Sequence, residues 1–138
     1  MKLATRNNNT RDGELLVVSL DNTKAVLATE VAPHLQAVMD SWSELGPKLE
    51  AIYADLNAGN RSDAFEVNVA DLHSPLPRAY GWIDGSAYIN HIVLVRKARG
   101  AEPPATLRTD PLVYQGGSDT FLTPTQDIPL VDEAYGCD

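Results

Sequence analysis

The chain has 138 residues, 43% hydrophobic and 22% charged, with 19 acidic against 11 basic side chains and a net charge of −8. That length allows one core, or a small domain with part of another, and the acidic balance argues against a nucleic-acid partner because it repels a phosphate backbone. No apolar run approaches the length of a bilayer, Met1–Asn7 leads into a polar stretch, and the single Cys137 excludes an internal disulfide framework. The expectation is a cytoplasmic protein without membrane contact.

In chain order, residues 2–5 and 14–20 read as strands, separated by the polar turn Asn7-Asn-Asn-Thr-Arg-Asp-Gly13. Ala25-Val-Leu-Ala-Thr29 reads as a third strand after the Asp21-Asn22 turn. From Pro33 the period changes, and Leu35, Val38, Met39 and Trp42 recur at helical spacing. Gly46-Pro47 is expected to interrupt, with Leu49, Ile52, Tyr53 and Leu56 carrying a second amphipathic helix that ends near Gly59. Residues 1–72 thus form a small α+β domain. It is short enough that packing against further structure is expected.

Beyond Asp71 the texture shifts. Ser74-Pro-Leu-Pro-Arg78 reads as an extended linker into a second region, 73–138. A third helix is expected from about Asp84 to Arg99, with Arg96, Lys97 and Arg99 complementing the dipole at its C-terminal end. Short β-like pieces follow at Leu112-Val-Tyr114 and Thr120-Phe-Leu-Thr123, among many prolines and glycines.

The most informative pairing is Asp84 with His91. On a continuous helix a separation of seven is two turns, so carboxylate and imidazole would share a face, with Tyr88 between them. A carboxylate suits a hard divalent cation, and an imidazole suits proton transfer. Plainer readings stand beside these. Asp84 is a natural N-cap, and His91 a natural hydrogen-bonded structural histidine. Tyr114 suits strand packing, and the basic cluster suits a solvated helix end. His34 and His73 lack metal-ligand spacing and read as surface or linker residues. Ser118-Asp119 lacks the context of a nucleophile elbow, and no phosphate-binding glycine motif is present. Trp42 and Trp82 read as core or interface residues.

Taken together, Ser74-Pro-Leu-Pro-Arg78, Asp84-x6-His91, Arg99-Gly100 and Pro111-Leu-Val-Tyr114-Gln-Gly-Gly-Ser118 resemble, in order and spacing, the start of the catalytic region of fumarylacetoacetate hydrolases. The preceding residues resemble the small N-terminal domain of one bacterial branch. The resemblance implies a metal-dependent hydrolase of C–C bonds in β-diketo acids, fumarylacetoacetate or acylpyruvate-like, in a family that also decarboxylates or isomerises related keto-acids. It implies Mg2+ (or Ca2+ or Mn2+) as cofactor, a homodimer, and a β-rich catalytic fold begun but truncated after residues 73–138.

By position, the resemblance makes Asp84 a metal ligand and His91 the histidine that activates water. It makes Arg99 a contact to the substrate's acid group, with Arg96 the alternative, and Tyr114 a substrate contact. Where some members carry an aromatic two residues after the aspartate, this chain has Ser86. The family's Glu-x-Glu metal ligands occur nowhere in this sequence and are expected just beyond Asp138. The chain therefore reads as the N-terminal portion of such an enzyme, inactive alone, with uncovered apolar surface between Tyr80 and Asp138. The alternative is a catalytically incomplete binding or assembly module completed by a partner chain.

Overall fold

The computed structural model describes residues 1–118 and 120–135. The readings placed on Cys137 and Asp138, and on Asp119 of the Ser118-Asp119 pair, lie outside the described residues. The chain divides into two compact units, Met1–Arg78 with Thr120–Asp138, and Ala79–Asp119.

The first unit is built on strands β1 (Lys2–Arg6), β2 (Glu14–Val18), β3 (Lys24–Leu27) and β4 (Phe65–Glu66), antiparallel and adjacent in chain order. The three expected strands are present, with register Arg6 opposite Glu14 and Val17 opposite Val26. The two-residue β4 escapes sequence reading because so short a run carries no period. Leu15–Val18 is an unbroken apolar run, which suits a strand covered on both faces. Leu15 and Val17 join Val26, Val38, Leu49, Ile52 and Leu56 in the main core. Leu16, Val18 and Ala25 face the other way, onto Phe65, Val67 and Leu72.

The main core is closed by α1 (Leu35–Asp40) and α2 (Trp42–Asn57). His34 caps α1, its Nδ1 accepting the Ala37 backbone N–H at 3.2 Å, so it is a structural residue rather than a loose surface one. The break between the helices falls at Ser41, not at Gly46-Pro47, which lies inside α2. Two features let the helix run through. Proline forfeits only the bond to the exposed Ser43 carbonyl, near the helix start. The residue before it is glycine, which has no Cβ to clash with the proline ring. The buried Gly46 also leaves room for Trp42, whose ring a Cβ there would meet at 3.4 Å.

Ser74–Arg78 is not a loose linker. The His73 N–H donates to the Thr5 carbonyl at 2.9 Å, and the buried Thr5 hydroxyl donates to the Pro75 carbonyl at 2.6 Å. Two prolines with no N–H to offer still satisfy β1 through a carbonyl. Gly13 closes the β1–β2 connection at φ +62, and a Cβ there would stand 2.6 Å from the Arg6 carbonyl oxygen, so only glycine fits.

The β2–β3 turn is tied by one carboxylate. Asp21 Oδ1 accepts the Ser19 hydroxyl at 2.6 Å, and the Thr23 N–H and hydroxyl at 3.0 and 2.9 Å. These bonds, the Ser19 hydroxyl foremost, pull its pKa from 3.8 to about 2. Since the folded value is depressed, the stabilisation is complete above 3.8 and vanishes as pH falls through about 2. Urea titrations across that range are expected to show the parent's advantage over Asp21→Ala shrinking as pH falls. A difference independent of pH would show that these bonds do not favour the ionised form.

The second unit holds β5 (Ile83–Ser86), α3 (Ile89–Ala98) and β6 (Leu112–Gln115), with β5 and β6 forming a two-stranded antiparallel sheet. The expected Leu112–Tyr114 strand is there, whereas Thr120–Thr123 is not a strand. The architecture is α+β. No helix among the described residues is long and apolar enough to cross a membrane.

Candidate functional site

The expected helix from Asp84 to Arg99 divides in two, which corrects the shared-face argument. Asp84 lies in β5, while His91 is the third residue of α3. Backbone pairing with β6 holds residues 83–86 extended, and the helical apolar pattern starts only at Ile89. Tyr88 is the N-cap residue of α3 and makes no side-chain cap bond. A two-turn helical geometry therefore does not relate Asp84, Tyr88 and His91.

Pairing of the strands instead brings Asp84 beside Tyr114. The register sets Asp84 opposite Tyr114 and Ser86 opposite Leu112. Directly opposed residues project from the same sheet face with Cβ atoms about 4.5–5.5 Å apart. Trp82, two residues before Asp84, shares that face, and its ring lies 5.5 Å from the Tyr114 ring at 54°. The next residue pair is backbone-bonded, the Gly116 N–H donating to the Trp82 carbonyl at 2.9 Å. A Cβ on Gly116 would stand 1.9 Å from the Trp82 indole, so this glycine makes room for the ring that packs on Tyr114.

Ser86 completes the group. Its hydroxyl donates to Asp84 Oδ2 at 2.9 Å, orienting the carboxylate. Sequence reading registered Ser86 only as a missing aromatic; the period-two spacing to Asp84 was the available signal, once the segment is taken as a strand. Trp82 was missed as part of the site for the same reason.

His91 and Arg99 belong to α3. Arg99 is the C-cap, its N–H bonded to the Val95 and Arg96 carbonyls at 3.1 Å. Eight residues of helical rise separate it from His91, about 12 Å along the axis. Asp84, His91, Arg99 and Tyr114 are all exposed. In the stretch 79–118 only Ile92 is buried. Tyr80, Ile83, Tyr88, Leu94, Val113 and Tyr114 are all more than half exposed. This is a large apolar surface for so small a unit.

A divalent cation of the Mg2+ kind needs near-octahedral oxygen coordination. Among the described residues no group of three or more His, Cys, Asp or Glu side chains stands together. Asp84 alone cannot fill such a shell, so the described residues do not fit a metal centre by themselves.

The comparison with protein families decides the lineage. A family model described as fumarylacetoacetase N-terminal domain 2 matches residues 1–78, more than half of the chain. The chain belongs to this family. The fumarylacetoacetase N-terminal domain thus comprises β1–β4, the helices α1 and α2, and the Ser74–Arg78 segment. Asp84, His91, Arg99 and Tyr114 lie beyond the matched stretch. Comparison with curated proteins gives no match.

Proposed function

We propose that the protein takes part in hydrolysis of a C–C bond in a β-diketo acid, with the matched residues 1–78 as the small N-terminal domain and the residues after Arg78 as the opening of the catalytic region. The observation that carries the reading is the fumarylacetoacetase N-terminal domain match over residues 1–78. The register pair Asp84–Tyr114, oriented by Ser86 and packed by Trp82, supports it by concentrating polar groups on one sheet face.

The chemistry assigned to each residue follows from its type. His91 takes a proton from the attacking water as hydroxide adds to a carbonyl carbon. The C–C bond then breaks, its electron pair passing to an enolate that is protonated to the keto acid. Arg99, or Arg96, pairs with the substrate carboxylate through its planar fork. The Tyr114 hydroxyl donates to a substrate oxygen that gains charge. Mg2+, Ca2+ or Mn2+, with Asp84 as one ligand and the others from outside the described residues, belongs to the proposal as the Lewis acid for this chemistry. A homodimer in the cytoplasm completes it.

The same exposure that leaves the four residues on the surface supports a second reading. An uncovered apolar unit with an incomplete donor set suits a binding or assembly module that a partner chain completes. One assay separates the two. The native gene product, supplied with Mg2+, is incubated with an acylpyruvate, and pyruvate and the released carboxylic acid are measured together. Equal release of both acids is expected; no turnover of any β-diketo acid would overturn the hydrolase reading in favour of the module.

A further inference from the structure

The first unit contains a cavity of about 240 Å³ lined by Arg11, His73, Pro77, Arg78, Thr120, Phe121, Leu122 and Gln126. It is separate from the four candidate residues, all of which belong to the other unit. Apart from the Thr120 hydroxyl, its polar side chains present donors. The Nδ1 of His73 accepts the Ser74 backbone N–H at 2.8 Å, which places the proton of the neutral ring on Nε2. The amide oxygen of Gln126 accepts the Thr123 N–H at 3.3 Å, leaving its NH2 group as the donor end. Arginine has no acceptor at all. In a chain of net charge −8, no carboxylate is among the described lining residues.

The framework is also set in advance. His73 is hydrogen-bonded to β1 through its own N–H, and the Arg78 guanidinium lies on Asp12 with Nε and Nη2 at 2.5 and 2.7 Å. That contact holds the Asp12 carboxyl below its usual range, and Arg11, whose charge also acts on Asp12, brings a second guanidinium to the cavity lining. The same lining includes the apolar side chains of Pro77, Phe121 and Leu122. Hydrogen-bond donors together with apolar and aromatic side chains in one lining suit a ligand with an anionic end and an apolar body. The volume lies below the roughly 300 Å³ at which drug-sized pockets begin.

We propose that this cavity is a binding site for a small organic carboxylate, its acid group held by Arg11, the His73 Nε2–H and the Gln126 amide, and its apolar body on Phe121. The site is independent of the proposed hydrolysis and stands whether or not that reaction occurs.

The test titrates benzoate, benzamide and inorganic phosphate separately into the isotope-labelled full chain, following backbone amide signals. Benzoate is expected to give saturable shifts centred on His73, Arg78, Phe121 and Gln126. Benzamide, the uncharged analogue, and phosphate, which has no apolar body, are expected to bind at least about tenfold more weakly. Arg11 is an exposed loop residue, so Arg11→Gln is expected to keep the parent spectrum while weakening benzoate by about tenfold. Gln126→Leu, which keeps the bulk and removes the donor, is expected to weaken it in the same direction. Absence of saturable shifts at millimolar benzoate overturns the proposal. So does equal binding of benzamide or phosphate, or unchanged affinity in both variants.

Discussion

Leu49→Ala lowers the unfolding free energy of the first unit by about 2–5 kcal/mol, the range for deleting a fully buried leucine. Leu49 is 0% exposed and sits on α2 where the helix meets Val17, Val26 and Val38 across the main core. The loss combines the transfer energy of the removed carbons with the cavity they leave, since α2 is braced on both sides of Leu49 by buried Gly46 and Ile52 and cannot readily collapse. Leu94→Ala is the internal control. Leu94 is 57% exposed on α3, and the same chemical change there is expected to cost no more than about 0.5 kcal/mol. Urea unfolding of both variants, read by far-ultraviolet circular dichroism, makes the comparison. If the two variants shifted the midpoint equally, α2 would not be packed on the sheet as described.

The other large effect is on turnover. In the native gene product, His91→Ala is expected to reduce kcat for an acylpyruvate by about 10²–10⁴-fold, the usual contribution of a positioned general base. Because His91 is exposed near the start of α3, its removal is expected to leave the melting temperature nearly unchanged. This separation of activity from stability distinguishes a base from a structural histidine. Tyr114→Phe is a milder probe. It retains the ring packed on Trp82 and removes only the hydroxyl, so a loss of activity there reports the donor alone. Near-parent kcat in His91→Ala would remove this residue from the mechanism and leave water activation to a group outside the described residues.

Much of the first unit was legible because its signals are local. The unbroken Leu15–Val18 run marks a strand covered on both faces, and the polar stretch ending in Gly13 marks the hairpin connection. Leu49, Ile52 and Leu56 recur at the spacing of a buried helical stripe. The error at Gly46-Pro47 has an equally local cause. Gly46-Pro47 carries the pattern of a break, yet the glycine removes the Cβ clash that disfavours helix before proline, and the proline sits near the helix start. Trp42 and Trp82, expected in a core or interface, are 47% and 43% exposed, each flanking a glycine that accommodates the indole.

What the sequence by itself determined is the α+β character, the strand–helix order of the first unit, and the ordered residues that resemble one hydrolase family, a lineage the match over 1–78 bears out. These are properties of neighbouring residues, carried by period, turn chemistry and motif order. The tertiary structure alone decided that Asp84 belongs to a strand. A backbone ladder to Leu112–Gln115, nearly thirty positions away, outweighs the helical pattern that begins a few residues later. It alone set Asp84 against Tyr114 and gathered Arg11, His73 and Gln126 around one cavity. Such contacts join residues far apart in the chain, and the hydrogen bonds that select them are satisfied only once the backbone has folded.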